Sequence, residues 1–100
     1  MLDPLTTEAI TKVLQELPGW SGDQQGLKRQ WRFTDFRTAI GFMHAAAPAI
    51  DSANHHPEWS NVYNRVSVHL RTHDAGDRVT DLDVKLAQLL DVQARHHGGR

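Results

Sequence analysis

Residues 58–73 read Glu58-Trp59-Ser60-Asn61-Val62-Tyr63-Asn64-Arg65-Val66-Ser67-Val68-His69-Leu70-Arg71-Thr72-His73. From Arg65 onward Val66, Val68 and Leu70 alternate with Arg65, Ser67, His69, Arg71 and His73. Successive side chains of a strand point to opposite faces, so the alternation predicts a strand with one apolar and one polar side. The run breaks near Asn64, which predicts two strands, 58–63 and 65–73, with Tyr63 in the core. A sheet with one polar face suits antiparallel pairing and helices over the other face alone.

Upstream, Thr6 is placed to cap a helix whose Ile10, Val13, Leu14 and Leu17 recur at helical spacing until Pro18-Gly19. Residues 20–21 and 27–33 flank the polar turn 22–26 and predict a hairpin with Leu27, Arg29, Trp31 and Phe33 on one side. Thr34 is expected to cap a second helix. Its buried stripe is expected to be Phe36, Ile40, Met43, Ala47 and Ile50, with a kink near Ala45 or an early stop caused by Pro48.

Downstream, residues 74–77 form a turn, and Thr80 with Asp83 three residues on is the pattern of a capping box for a last helix that buries Leu82, Leu86, Leu89 and Leu90. The order is helix, two strands, helix, two strands, helix, an α+β sandwich. One hundred residues suit one domain, 1–100. Residues 95–100, with two glycines and no periodicity, are expected to fray.

Composition narrows the function classes. Hydrophobic residues make up 39% and charged residues 23%, the balance of a folded globular chain. The formal net charge is -1 with Lys and Arg dispersed, which argues against direct nucleic-acid binding. There is no cysteine for disulfides, thiolate catalysis or a Cys-rich zinc site. No signal-peptide pattern or membrane-spanning apolar run is present, so a cytoplasmic protein without membrane attachment is expected.

The chemistry gathers in Asp51-Ser52-Ala53-Asn54-His55-His56-Pro57-Glu58-Trp59, with Tyr63, His73 and Asp83 further on. Imidazole both gives and takes a proton near neutral pH. His55 and His56 would face opposite ways in a strand, but a turn before Pro57 lets both line one pocket. His73 reaches them only if the hairpin is open at that end. Trp59 reads either as core filler or as a stacking ring, and Asp83 can cap its helix while orienting an imidazole. Three imidazoles and a carboxylate also suit zinc or iron, although the spacing lacks two histidines on one helix face.

At these residues the chain resembles the pterin-4a-carbinolamine dehydratase family. Its signature of an acidic residue, His-His-Pro, an aromatic, a later His and an Asp is met by Asp51, His55-His56-Pro57, Tyr63, His73 and Asp83. Similarity extends from about Leu5 to Ala94 and includes Gly41-Phe42-Met43. The resemblance implies a four-stranded antiparallel sheet with three helices on one face. It also implies dehydration of 4a-hydroxytetrahydrobiopterin without metal or organic cofactor, in tetrahydrobiopterin recycling. His55, His56, His73 and Asp83 would be catalytic, and Asp51, Pro57, Trp59 and Thr72 would bind substrate. A homodimer or homotetramer and a pathway link to an aromatic amino-acid hydroxylase are further implications. The alternative on the same fold is an interaction or assembly protein similar to the family's dimerisation cofactor, with secondary or lost activity.

Overall fold

The computed structural model describes residues 2–100. Three helices and one antiparallel sheet follow the order α1 (Thr7–Gln15), β1 (Ser21–Asp23), β2 (Gly26–Arg32), α2 (Phe36–Ala53), β3 (Glu58–Val62), β4 (Arg65–Leu70), α3 (Asp81–His96). The strands lie side by side as β1-β2-β4-β3. The central pair aligns Leu27 with Leu70 and Trp31 with Val66, while Trp59 lies opposite Val68 across the other seam.

Val66, Val68 and Leu70 are buried as their alternation requires. The centre of the core is the Phe42 ring of α2, which meets Trp31, Phe33 and Trp59 at centroid distances of 5.2, 5.1 and 6.4 Å. Trp20 and Trp31 both donate their indole N–H to the Asp91 carboxylate, at 2.8 and 3.2 Å. Arg29, which interrupts the apolar side of β2, lies over the Trp31 ring and near Asp91. The polar interruption therefore belongs to a network tying β2 to α3. Among the described residues no helix is long and apolar enough to cross a membrane.

Several expectations shift. The N-cap of α2 is Asp35 rather than Thr34: Asp35 has extended backbone, and its Oδ1 accepts from both the amide and the hydroxyl of Thr38. The buried stripe of α2 is Ala39, Phe42, Ala46 and Ile50. Phe36, Ile40 and Ala47 are exposed instead, and Met43 is half-buried. The helix is apolar on more than one side, and the side it buries sets the large Phe42 between the small Ala39 and Ala46. Pro48 does not end α2, which continues to Ala53; Pro48 and His44, the residue whose carbonyl loses its donor, are both exposed.

Tyr63 lies in the tight β3–β4 turn with φ of +53° and is exposed, not core. Asn61 closes that turn by donating to the carbonyls of Tyr63 and Arg65. β4 ends at Leu70, so His73 opens a 3-10 turn, His73–Ala75, rather than finishing the strand. In α3 the fully buried leucines are Leu86 and Leu90, while Leu82 and Leu89 are half-buried. Residues 95–100, expected to fray, are held in place. Arg95 and His96 finish α3, Gly99 donates to Ala94, and Arg100 exchanges two backbone hydrogen bonds with Arg32.

Candidate active site

The site is assembled from three chain segments brought to one end of the sheet. The first is the exit of α2. Asn54 adopts the left-handed conformation with φ of +50°, and its amide donates to the Asp51 carbonyl. Asn tolerates this geometry better than most residues, so it stops the helix and turns His55-His56-Pro57 toward β3. The second segment is the exit of β4, carrying Thr72 and His73. The third is the start of α3, where Thr80 and Asp83 form the expected capping box.

Asp83 is fully buried and receives hydrogen bonds on both carboxylate oxygens. Oδ1 lies 2.6 Å from His55 Nε2. Oδ2 accepts from the Thr72 hydroxyl at 2.8 Å and from the Thr80 amide at 2.9 Å. The Thr80 hydroxyl lies 2.7 Å from that of Thr72. Since Thr72 gives its proton to Asp83, it accepts from Thr80. A buried carboxylate needs such a full set of partners. A carboxylate oxygen accepts, so His55 Nε2 donates in this bond, and Nδ1 is the ring position without a partner among the described residues.

His56 is more exposed and pairs with Asp51 through Nε2–Oδ1 at 2.9 Å. His73 pairs with Asp77 through Nδ1–Oδ1 at 3.0 Å, and its side chain is 92% exposed. The hydrogen bond with Asp77 and the nearby negative charges of Asp77 and Asp74 hold the His73 pKa above its ordinary value. The same hydrogen bond holds the Asp77 carboxyl below its own. Thus each of the three histidines has one aspartate.

The sequence-derived residues are not all joined. His55, Thr72 and Asp83 share one hydrogen-bonded network, His56 and Asp51 form a second pair, and His73 enters neither. Pro57 occupies the link between His56 and β3. Trp59 packs edge-on against Phe42 and borders a hollow of about 550 Å³ that also involves Lys28, Gln30, Glu58, Ser67 and His69, not the three paired histidines. Among the described residues no group of three or more His, Asp or Glu is placed to hold a metal ion. Two participants lay outside the sequence reading as site residues. Thr80 was legible only as a cap, and Asp77 stands four residues after His73, a spacing that brings side chains together within one turn.

These features define a small α+β sandwich that carries paired histidines and aspartates at one end of its sheet. Comparison with known proteins places it further. Residues 3–93 match the family described as pterin 4 alpha carbinolamine dehydratase. A chain of Opitutus terrae provisionally named pterin-4-alpha-carbinolamine dehydratase is 51% identical over 84% of this chain and 87% of its own length. One of Nitrobacter winogradskyi with the same provisional name is 44% identical over 99% of each. A crystal structure of a transcriptional coactivator/pterin dehydratase from Brucella melitensis superposes with a TM-score of 0.86 at 40% identity, covering 92% of this chain and 99% of that one. The chain belongs to the pterin 4 alpha carbinolamine dehydratase family, a family of hydro-lyases.

Proposed function

We propose that this protein dehydrates 4a-hydroxytetrahydrobiopterin to quinonoid dihydropterin and water, returning the pterin to the tetrahydrobiopterin cycle after aromatic amino-acid hydroxylation. The observation that carries the reading is the His55–Asp83 pair, in which a fully buried carboxylate orients a largely buried imidazole. The reaction expels the C4a hydroxyl and removes the N5 proton. A protonated imidazole gives its proton to the departing hydroxyl, forming water, and a neutral imidazole takes the N5 proton, so no proton is gained or lost overall. His55 and His73 serve as this acid/base pair and His56 orients the pterin beside Asp51 and Pro57, while Thr72 acts through Asp83, which holds its hydroxyl. No cofactor takes part in the proposed reaction.

The test is the rate at which freshly generated 4a-hydroxytetrahydropterin loses water, followed by ultraviolet absorbance with and without a chelator. Turnover that survives chelation and falls about 10²-fold to 10⁴-fold in His55→Ala and His73→Ala supports the reading. Near-normal turnover in both variants overturns it.

A second reading, an interaction or assembly role, is favoured by the exposed Phe36 and Ile40 on α2 and by the coactivator description of the Brucella protein. The same stripe, together with the outer edge of β3, unpaired among the described residues, supports assembly into a homodimer or homotetramer.

A further inference from the structure

We propose that Asp77 is the positioning residue of His73, fixing the ring so that Nε2 faces the substrate while Nδ1 is committed to the carboxylate. The proposal rests on the dehydration reading above and assigns its third histidine a partner. The Nδ1–Oδ1 distance is 3.0 Å, and a neutral imidazole that donates from Nδ1 carries its lone pair on Nε2. His55 has the opposite arrangement, with Nε2 committed to Asp83 and Nδ1 without a partner among the described residues. The acid/base pair thus presents two chemically different nitrogens, each determined by the aspartate behind it.

The position of Asp77 is built into the loop. Gly76 and Asp77 both take left-handed conformations, with φ of +77° and +59°. The Asp77 amide donates to the Thr72 carbonyl at 3.1 Å, and the Thr72 amide donates to the Arg78 carbonyl at 2.9 Å. The loop therefore closes on Thr72, whose hydroxyl is held by Asp83. Thr72 thus touches the Asp83 carboxylate through its hydroxyl and the Asp77 backbone through its carbonyl, so the loop that carries the His73 pair is tied to the residue behind the His55 pair. The charged groups acting on His73 are Asp77, Asp74 and Arg71, and Arg71 is itself engaged by Glu58 through two hydrogen bonds. Among the described residues Asp77 supplies the one hydrogen bond to the ring.

Asp77→Asn is the informative variant, because Asn accepts the same left-handed backbone and only the charge is lost. The experiment combines nitrogen-detected NMR titration of the His73 ring with the pH profile of dehydration, for wild type, Asp77→Asn, His73→Ala and the double variant. The proposal expects a lower His73 pKa and a mixed ring tautomer in Asp77→Asn. It also expects kcat to fall about two- to five-fold, the rate equivalent of an exposed charge pair, with its pH limb displaced in the same direction. In the His73→Ala background, Asp77→Asn should cost nothing more. An unchanged His73 titration and tautomer, or an equal loss with His73 absent, overturns the proposal. A wild type that titrates as expected yet shows no dehydration overturns the activity reading, and with it the catalytic consequence of Asp77, while the NMR result still reports on the pair itself.

Discussion

His55 Nε2 and Asp83 Oδ1 stand 2.6 Å apart, joining the loop after α2 to the first turn of α3 across 28 residues of chain. The same carboxylate caps the helix, so the group that orients the imidazole cannot move without unwinding a helix end.

Replacing Asp83 should damage stability and catalysis together. Asp83→Leu leaves His55, the Thr72 hydroxyl and the Thr80 amide without their acceptor and is expected to cost about 3 kcal/mol or more. Asp83→Asn keeps the shape and part of the accepting capacity. Its dehydration rate is expected to fall about 10-fold to 100-fold, as when an orienting carboxylate behind a functional histidine is removed. Urea midpoints alongside turnover per folded molecule separate the two effects.

Asp91 should behave differently. It accepts from two indoles eight residues along α3 from Asp83, about 12 Å of helix. Asp91→Ala leaves both indole donors without their acceptor and is expected to lower stability by about 2–4 kcal/mol. Tryptophan emission should change, and the activity of the remaining folded protein should stay near that of wild type. Fluorescence-monitored urea unfolding with a parallel rate assay checks both.

The His73–Asp77 pair gives stability a defined pH dependence. The folded-state pKa of His73 is raised above 6.5, so its contribution is full below that value and lost as pH rises through the folded value. Asp77 is depressed below 3.8, so its contribution is full above that value and lost as pH falls through the folded one. The stability difference between wild type and Asp77→Asn should therefore be widest near about pH 5 and shrink on both sides. Urea midpoints across the pH range measure it.

Ile40 tests assembly. If the exposed stripe of α2 is the seam between copies, Ile40→Glu places a charge in it, and sedimentation should show a shift from oligomer to monomer with the helix content retained. A wild type that sediments as a monomer at every concentration removes the seam.

The local features legible in the sequence were those governed by neighbours along the chain: the alternation of β4, the Thr6 cap and the Thr80–Asp83 capping box. Period and spacing express them directly. Choices between nearly equal alternatives were not legible. Phe36, Ile40 and Met43 repeat at helical spacing as well as Ala39, Phe42 and Ala46 do. Only packing around Phe42, next to Trp31 and Phe33, selects the second set. Thr34 and Asp35 can both cap α2, and backbone geometry with the Thr38 contacts favours Asp35.

The amino-acid order alone determined the elements, their sequence along the chain and the set of groups able to move protons. Tertiary structure decided their pairing. The α2 exit, the β4 exit and the α3 start meet at one end of the sheet, giving His55 to Asp83, while His56 and His73 find Asp51 and Asp77 locally. The physical reason is that hydrogen-bond partnership depends on distances of about 3 Å, and for residues 28 positions apart that distance is fixed by packing rather than by spacing along the chain.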